Sequence, residues 1–579
     1  MNDFQKIKKI ISIVCCIVIS TCLLYASALT QLSKSPLGDW EYFKALSLLV
    51  KSNVLQYHSF PLHNPWACGG MDLLANPQNR IFSPFLLFDI FFNPYLANLF
   101  SMMFYSAIGL WGGWLFFRRL GRERLSSVIG AFVFIASSWF GLHLAEGHVT
   151  FASLQLLPLI LYLVLDFNSK RRIMILFLIH AFLILDGGVY SMVISFYAIL
   201  TCFICQVGNL SFSRFRQFFN EHWKWITLCG VVALAFVSLK IIPMLSLGKS
   251  FVQNFQTSNV SFLDTAWIFF SPFQNTRPNL PNSFVQWRTH EFGCYLGFLL
   301  LFFFIVGLRK KELRPVRIVL GICFWFWTGL GWGGMINPWT LHEFGPFSDV
   351  HVQSRMLIIG FILILPTATL GIDHLEKKLP KWIFVSLIAV LMVEFCFVRN
   401  YAFYDNLFHK ETTGVESRLI QNNNLDETIK LGWMTSHYFD KNKGSKNCYE
   451  PSFAPRNTKY NGEQGYKGEI YLENENENEV ALNILSYTPG KISGEFSNIM
   501  PGNSIVINTN SLGGWKSLNE QVEATENASG LLHLRVKVSQ GEFKLEYAPK
   551  YRRIILIVGL FAFWGSLLLF FLSRKKSLQ

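Results

Sequence analysis

The sequence predicts an α-helical polytopic membrane protein with about 12 transmembrane helices and a small extracytoplasmic β-sandwich just before the last helix. The composition is the first reason, because 51% of the 579 residues are hydrophobic and only 15% are charged. Soluble globular proteins contain about 25% charged residues. The second reason is that the apolar residues form runs close to the ~20 residues that cross a bilayer. The third is a polar region near the C-terminus with strand-like alternation.

Twelve apolar segments follow one another along the chain. The first covers residues 10–29, after Lys6, Lys8 and Lys9. We interpret it as an uncleaved helix with a cytosolic N-terminus, because it is long for a signal peptide and no small-residue cleavage motif ends it. The second segment ends at residue 118, the third covers 125–140, the fourth ends before 170, and the fifth and sixth flank a hinge at 186–188. The seventh covers 225–245, the eighth ends at 309, and the ninth covers 316–330. The tenth ends before 374, and the last two cover 382–398 and 553–572.

Short basic clusters support this topology. With twelve segments and a cytosolic N-terminus, the clusters at 118–124, 170–172, 309–311, 377–378 and 574–576 all fall on the cytosolic side, as the positive-inside rule requires. The net charge of +14 comes from these clusters, because residues 401–550 contain 15 basic against 19 acidic residues. A cluster pattern of this kind excludes a nucleic-acid partner, which would need a basic stripe on a folded domain.

The topology divides the chain into three parts. Residues 1–398 form a multi-span membrane domain whose long loops, 31–83, 248–291 and 331–353, share the outer face. Residues 399–551 form an extracytoplasmic β-rich domain. Residues 552–579 form the last transmembrane helix and a basic cytosolic tail.

The polar domain shows the period of β-strands. Apolar and polar residues alternate over 532–538 and 542–547, and shorter runs of the same kind lie at 504–508 and 494–496. Gln540-Gly541 separates the first two runs and predicts a hairpin between them. We therefore expect a small antiparallel β-sandwich, with the alternating Asn and Glu residues of 473–479 in a solvated loop.

The eleven cysteines show no zinc-site spacing. Most lie inside apolar runs, where Cys packs as a small hydrophobic residue. Cys68, Cys294 and Cys448 lie on the outer side in this topology, and whether two of them form a disulfide stays open. The chain also lacks nucleotide-binding glycine motifs, so an activated substrate would have to arrive without a cytosolic nucleotide site.

The outer loops contain the candidate functional residues. Asp39 lies near the membrane interface and is a candidate general base or cation ligand, although it could equally cap a helix over residues 40–50. Three more candidates lie within six residues on the same side of the membrane in this topology: His143, Glu146 and His148. They could form a proton relay, bind a metal ion, contact the substrate, or be ordinary interfacial residues.

Basic residues near the outer face are candidates for binding a lipid phosphate. Arg80, Arg288 and Arg355 fit this role, since a guanidinium binds phosphate in a bidentate manner. The same arginines could instead extend to lipid headgroups. Lys240 is the one clear basic residue inside an apolar run, which makes it a functional candidate unless it reaches the outer edge of the membrane.

Several motifs resemble those of the bacterial YfhO-like membrane proteins, which belong with the GT-C glycosyltransferases. The matching stretches, in chain order, are Gly38-Asp39, residues 60–70, residues 74–84, residues 137–148 leading to Leu157-Pro158, His290-Glu291 with residues 295–297, residues 344–348, residues 352–355, residues 371–373, residues 513–516 and residues 547–549. Each motif is weak by itself, and their order along most of the chain is more specific. The chain departs from the pattern at Cys68, Asp72, Ser83 and Gln353.

The resemblance implies an active site on the outer face of a bacterial cytoplasmic membrane and a polyprenyl-phosphate-linked sugar donor. It implies that Asp39, at the position of the acidic residue in the first outer loop, acts as base or cation ligand. His148, Glu291 and Arg355 match recurrent positions, and we include His148 and Glu291 among the catalytic candidates. Substrate-binding candidates are Arg80, Asn76, Gln78, Arg355 and an exposed Trp515 on the sandwich, which could stack on a glycan.

The sequence therefore predicts an inverting glycosyltransferase that transfers a sugar to a cell-envelope glycan or polymer. Membrane lipid is its environment, both termini are cytosolic, and the large domain is extracytoplasmic. No cofactor is certain, a divalent cation is compatible with the residues, and its ligands stay unknown. Two alternatives remain, a transporter or flippase of a lipid-linked glycan and a non-enzymatic envelope scaffold.

Overall fold

The computed structural model contains a helical part and a strand-rich part near the C-terminus. It describes residues 3–32, 34–36, 39–165, 169–246, 260–274, 289–310, 315–331, 352–403, 408–410, 420–421, 443–444, 458–459, 463–473, 480–526 and 530–574. Six of the described helices are long and apolar enough to cross a membrane, and five shorter apolar helices accompany them. The chain is a multi-pass membrane protein.

The helices have the following bounds: α1 Asp3–Leu24, α2 Ala26–Leu29, α3 Asp39–Leu55, α4 Leu86–Phe91, α5 Pro94–Arg119, α6 Arg124–Ile135, α7 Ser138–Glu146, α8 Leu157–Leu165, α9 Lys170–Leu185, α10 Val189–Ile204, α11 Phe212–Ser246, α12 Phe262–Phe270, α13 Phe298–Leu308, α14 Pro315–Gly329, α15 Leu357–Glu376, α16 Lys381–Ala402 and α17 Arg552–Arg574. Each of the twelve predicted apolar segments contains helix. The third is interrupted between α6 and α7, and the fourth begins as a 3₁₀ helix, Val149–Leu156. The number of membrane crossings stays a prediction.

Small residues allow α5 to lie close to its neighbours. A Cβ atom at Gly109 would lie 2.5 Å from the carbonyl oxygen of Gln155, and one at Gly112 would lie 2.5 Å from the Cβ of Leu159. A Cβ atom at Gly113 would meet Ala131 of α6 at 2.8 Å. Close backbone approach at small residues is the usual way in which helices associate in lipid, where apolar burial gives little driving force. This contact fixes α6 and the start of α8, which flank α7 and the 3₁₀ helix Val149–Leu156 along the chain.

Two four-stranded antiparallel sheets form the strand-rich part. Their strands are β7 Ile470–Leu472, β8 Ala481–Thr488, β9 Lys491–Ser497, β10 Ser504–Asn510, β11 Trp515–Ser517, β12 Val522–Glu526, β13 Leu531–Val536 and β14 Gly541–Tyr547; short pairs elsewhere are β1 Lys34–Pro36 with β4 Phe408–Lys410, β2 His63–Asn64 with β3 Met71–Asp72, and β5 Ile420–Gln421 with β6 Lys443–Gly444. The sheet orders are β12-β13-β10-β7 and β11-β14-β9-β8. Alternate residues such as Ile505, Leu534 and Phe543 are fully buried in a shared apolar core. The predicted strands and antiparallel pairing are confirmed.

The predicted hairpin at Gln540-Gly541 is wrong. β13 pairs with β10 and β12, whereas β14 pairs with β9 and β11, so the two strands lie in opposite sheets. The connection between them crosses from one sheet to the other. Alternation identifies which side of each strand is buried, but it does not identify the neighbouring strand.

A hairpin from the first long loop packs against the end of the sandwich. The side-chain amide of Asn510 donates to the carbonyl oxygens of Cys68 at 2.6 Å and Gly70 at 2.9 Å. The hydroxyl of Tyr547 donates to Oδ2 of Asp72 at 2.6 Å, and the hydroxyl of Tyr551 donates to the same oxygen. Because all these groups are buried, the loop and the sandwich are joined by a specific polar interface.

The three cysteines predicted on the outer side differ from one another. Cys68 is disulfide-bonded, Cys294 is a buried free thiol, and Cys448 lies outside the described residues. A disulfide at Cys68 restrains the hairpin at the same place where Asn510 binds its carbonyl oxygens.

The exposure expected for Trp515 is wrong. Its side chain is only 6% exposed, and its ring packs against His63 and Tyr547 with centroid distances of 5.0 and 5.5 Å. Trp515 therefore stabilises the junction between the loop and the sandwich, and its ring faces are not available for stacking on a glycan. The sequence could not show this, because one of the two partners, His63, comes from a loop more than 400 residues away.

We expect acid to weaken this junction through His63. Burial lowers the pKa of His63 to about 3, below its ordinary value near 6.5. Between these values the unfolded chain binds a proton that the folded chain does not, so stability falls as the pH falls from 6.5 towards 3. Lowering the pH from 7 to 4.5 should cost about 2–3 kcal/mol through this group. Thermal unfolding of the detergent-solubilised protein at both pH values should show a smaller loss for His63→Leu; equal losses would contradict the prediction.

Candidate active site

Four segments that are far apart in the sequence meet in the helical part. They are the N-terminus of α3, the C-terminal end of α7 with the residues after it, the 3₁₀ helix Thr289–Glu291, and the 3₁₀ helix Gln353–Met356 that leads into α15. Their side chains form a compact polar group, here called the His–carboxylate cluster: Asp39, His143, Glu146, His148, His290, Glu291 and Arg355. Asp39, His148, Glu291 and Arg355, each selected from the sequence, therefore lie in one cluster.

His148 connects two members of the cluster. Its Nε2 lies 2.9 Å from Oδ2 of Asp39, and its Nδ1 lies 2.9 Å from Nδ1 of His143. The side chain of His143 is fully buried, whereas those of His148 and Asp39 are 11% and 17% exposed. A hydrogen bond between two ring nitrogens needs one donor and one acceptor, so a single proton lies between the two imidazoles. The Asp39 end of the cluster is the end that solvent reaches.

Glu291 and Arg355 form a buried bidentate ion pair. Nε and Nη2 of Arg355 donate to the two oxygens of Glu291 at 3.0 and 2.7 Å. The side chains are 6% and 2% exposed. The guanidinium carbon also lies 5.0 Å from the ring centroid of Phe151 and 4.7 Å from that of Tyr190. Paired and stacked groups hold the positive charge in one place, which a flexible surface arginine could not do.

His290 and Glu146 complete the cluster. Nδ1 of His290 lies 3.7 Å from Oε2 of Glu146, and Nε2 lies 3.8 Å from Oε1 of Glu291. Nε2 of His143 lies 4.0 Å from Oε2 of Glu291. The sequence analysis did not select His290 as a site residue. Its position directly before Glu291 was the available signal, because neighbouring residues in the chain can reach the same site.

The charges of the cluster shift the pKa values of its members. Burial lowers the pKa of His148, but the hydrogen bond to Asp39 and the charge of Asp39 outweigh burial, and the pKa is raised. Burial raises the pKa of Glu291, but the charge of Arg355 outweighs it and holds the pKa well below its usual range. Burial lowers the pKa of His290 to about 4. At neutral pH, Glu291 is therefore ionised and His290 is neutral.

Gly147 positions His148 beside Asp39. It ends α7 in the left-handed region, with φ of +109°, where glycine has no steric cost. A Cβ atom here would lie 2.3 Å from the backbone nitrogen of Trp40. The indole Nε1 of Trp40 donates to the carbonyl oxygen of Ala145 at 2.9 Å. The start of α3 and the end of α7 are thus held in direct contact, and the next side chain reaches Asp39.

The helix-capping alternative for Asp39 is consistent with part of the geometry. Asp39 is the first residue of α3, where a negative charge is favourable. Its carboxylate also binds His148, which a purely capping residue would not need. The position therefore serves the helix while it presents a partly exposed carboxylate.

Arg80 and Lys240 belong to a second buried polar group. Nε of Arg80 lies 3.3 Å from Oδ1 of Asp186, and its Nη1 donates to Asn98 at 2.8 Å. Nζ of Lys240 donates to the carbonyl oxygens of Pro77, Asn79 and Ile184. These contacts hold the loop around residue 80 against α5, α9 and α11. The ammonium group of Lys240 is satisfied by these carbonyls, so we do not retain Lys240 as a functional residue. Apart from the ion pair with Asp186, Nε and Nη2 of Arg80 are buried without a hydrogen-bond partner among the described residues, and the role of Arg80 as a phosphate ligand stays a prediction.

Asn76 and Gln78 belong to the same loop. The buried side-chain amide of Asn76 donates to the hydroxyl of Tyr42, and its Oδ1 accepts from the backbone N–H of Gln78 at 2.8 Å. Asn76 therefore shapes the loop, and its place in substrate binding stays a prediction, as does that of the half-buried Gln78. Gly38, Arg288, most of loop 248–291 and nearly all of loop 331–353 lie outside the described residues.

Three residues of the cluster have the donor atoms to hold a metal ion. One ring nitrogen from each of His143 and His148 and one oxygen of Glu291 lie within 4.8 Å of one another, and all three residues are in the interior. Imidazole nitrogen and carboxylate oxygen are the donors that first-row divalent ions such as Zn²⁺ take in proteins. The residues fit the divalent cation that the sequence left open.

No family model matches the sequence, and no curated protein matches it at a significant level. Among solved structures, the chain is similar to the cryo-EM structure of the arabinofuranosyltransferase AftD from Mycobacteria, with 16% identity, 68% of this chain and 27% of that chain covered, and a TM-score of 0.42. Two structures of a mutant of the same protein give 14% and 15% identity with the same TM-score. The chain thus spans about a quarter of the length of these proteins. At this TM-score the likeness carries no argument, and the resemblance to YfhO-like proteins stays a prediction.

Proposed function

We propose that the protein is an inverting glycosyltransferase that acts on a polyprenyl-phosphate-linked sugar at the outer face of a bacterial cytoplasmic membrane. The observation that carries the proposal is the Asp39–His148 pair, 2.9 Å apart and partly exposed, next to the buried Glu291–Arg355 pair. A carboxylate that solvent reaches, beside a fixed positive charge, suits the transfer of a group from a phosphate to a hydroxyl. The acceptor is a cell-envelope glycan or polymer, and the surrounding partner is membrane lipid.

Asp39 acts as the general base. The acceptor hydroxyl oxygen attacks the anomeric carbon, its proton passes to the carboxylate of Asp39, and the bond from the anomeric carbon to the phosphate oxygen breaks with its electron pair on the phosphate. Attack from the side opposite the leaving group inverts the anomeric configuration. Nε2–H of His148 donates to Asp39 and keeps the carboxylate oriented towards the acceptor.

Arg355 provides positive charge for the leaving phosphate. Its guanidinium is fixed by Glu291 and by the rings of Phe151 and Tyr190, so no reorganisation is needed when negative charge develops. Because the side chain of Arg355 is buried, its charge is screened less than it would be in water. Glu291 is thus a positioning residue whose carboxylate holds Arg355.

The sandwich lies next to the first loop and could guide the acceptor to the site. Trp515 has no part in this because it is buried. The transporter alternative predicts charged groups and broken helices inside the membrane, for which the sequence offers Lys240 and the hinge at 186–188. The ammonium group of Lys240 is bound by three backbone carbonyls. No observation on the described residues favours transport or scaffolding over transfer.

Two measurements test the proposal. Cells that lack the protein should lose one sugar-sized mass from an envelope glycan and accumulate the lipid-linked donor, and the wild-type copy should restore the mass. The purified protein with that donor and the truncated glycan should form a product with inverted configuration by NMR. Loss of the mass in cells, with no transfer by the purified protein from any lipid-linked donor that accumulates, would contradict transfer and favour transport.

A further inference from the structure

We propose that His143, His148 and Glu291 bind one first-row divalent metal ion such as Zn²⁺. The proposal deepens the proposed function, and its meaning for transfer rests on that function. Metal binding itself can be measured on the protein without any substrate. Three features of the cluster support metal binding: the arrangement of the donor atoms, the hydrogen-bond partner of His148, and the charge of the cluster.

The donor atoms are already gathered. One nitrogen of each imidazole and one carboxylate oxygen lie within 4.8 Å of one another, and His143 and Glu291 are fully buried. The two Nδ1 atoms face one another at 2.9 Å and share a single proton when no ion is bound. Nε2 of His143 is buried without a hydrogen-bond partner in the described part of the chain. A buried imidazole with an unused nitrogen has capacity for a ligand.

The second ring nitrogen of His148 has the kind of hydrogen-bond partner that metal-binding histidines have. A ligating imidazole almost always donates its other N–H to a carboxylate or a carbonyl oxygen, which fixes the ring and makes it a better ligand. Nε2 of His148 lies 2.9 Å from Oδ2 of Asp39. His148 can therefore offer Nδ1 as a ligand while Asp39 holds Nε2–H.

The charge of the cluster favours a dication. The ionisable groups other than the histidines are three carboxylates and one guanidinium: Asp39, Glu146, Glu291 and Arg355. With neutral imidazoles these four groups carry a net charge of about −2, a costly charge inside a protein. One divalent ion would neutralise it. Arg355 does not prevent this, because each oxygen of Glu291 has a second lone pair.

The donor set also predicts which ions bind. Two imidazole nitrogens and one carboxylate oxygen suit Zn²⁺, Co²⁺ or Ni²⁺, whereas Mg²⁺ and Ca²⁺ prefer oxygen ligands throughout. A bound ion would act as a Lewis acid close to the transferring group. The chain's own residues keep their roles: Asp39 takes the proton and Arg355 holds its charge in place.

The test uses the full-length protein, purified in detergent with a tag that contains no histidine, and Co²⁺ as the probe. After loading and dialysis we expect about one Co²⁺ per chain by elemental analysis, and visible d–d absorption bands. His143→Gln and His148→Gln should each lose most of this metal. Asp39→Asn should weaken binding by about 10–100-fold, the effect of removing such a supporting carboxylate. His180→Gln should retain full binding, because His180 is bonded to the carbonyl oxygen of Leu176 outside the cluster.

A measurement on the wild-type protein keeps the test decisive if the variants fail to fold. X-ray absorption at the cobalt edge should show scattering from two imidazoles, a result that needs no substitution. Far less than one Co²⁺ per chain, or binding that survives both His143→Gln and His148→Gln in folded protein, would overturn the proposal. Transfer by protein without metal would overturn a role of the ion in transfer and leave the glycosyltransferase intact. Metal binding without any transfer would support the site and count against the function.

Discussion

Asp39→Asn should abolish most sugar transfer while the protein still folds. The amide has the size of the carboxylate and can accept the hydrogen bond from His148 through its oxygen, but it cannot take the proton of the acceptor hydroxyl. Loss of a general base costs about 10²–10⁴ in rate. We expect a fall of about 10³-fold in the turnover of the purified protein. The midpoint of thermal unfolding should fall only slightly, because the lost charge at the start of α3 stabilises the helix by about 1 kcal/mol or less.

The matched control for this variant is Asp373→Asn. Asp373 is a buried carboxylate that accepts hydrogen bonds from the backbone N–H of Glu123 and the hydroxyl of Ser126, and it lies near the end of α15 opposite to Arg355. Eighteen residues of helix separate it from Arg355 along the chain, or about 27 Å. This variant should transfer sugar within a few-fold of the wild type. Equal activity of wild type and Asp39→Asn would remove Asp39 from the role of base, whatever the control shows.

The fold could be predicted where one property repeats along a segment. Apolar runs predicted helix in all twelve segments, and alternation predicted β13 and β14 to within a few residues. The hairpin between these two strands was wrong because alternation fixes which face is buried, while the partner strand is chosen by packing across the sandwich. Trp515 was misjudged for a related reason: its exposure depends on His63 from a loop distant in the sequence.

The candidate site could be predicted in part because its chemistry is concentrated in a few residue types. Asp39, His148 and Arg355 were selected as polar residues in the predicted outer loops, and Glu291 was selected from the family resemblance. The structure brings these four together. Arg80 was selected by the same rule and lies in a different group. Residue type and position do not distinguish a cation that supports a loop from one that supports a site, because the difference lies in the tertiary partner.

Arg355→Met should destabilise the protein strongly, and a second substitution should restore the fold without restoring activity. Removing the guanidinium leaves the carboxylate of Glu291 buried without its main partner, which costs about 3–5 kcal/mol, whereas replacing both members of a buried pair by apolar residues is often neutral. The double variant Arg355→Met with Glu291→Leu should therefore unfold close to the wild-type temperature in detergent and remain inactive. The exposed pair Lys377–Glu123, with side chains 68% and 53% exposed, is the control, and Lys377→Met should change the unfolding midpoint very little. If the double variant were as unstable as Arg355→Met alone, the ion pair would not be the source of the instability. If it transferred sugar normally, the positive charge of Arg355 would have no part in the reaction.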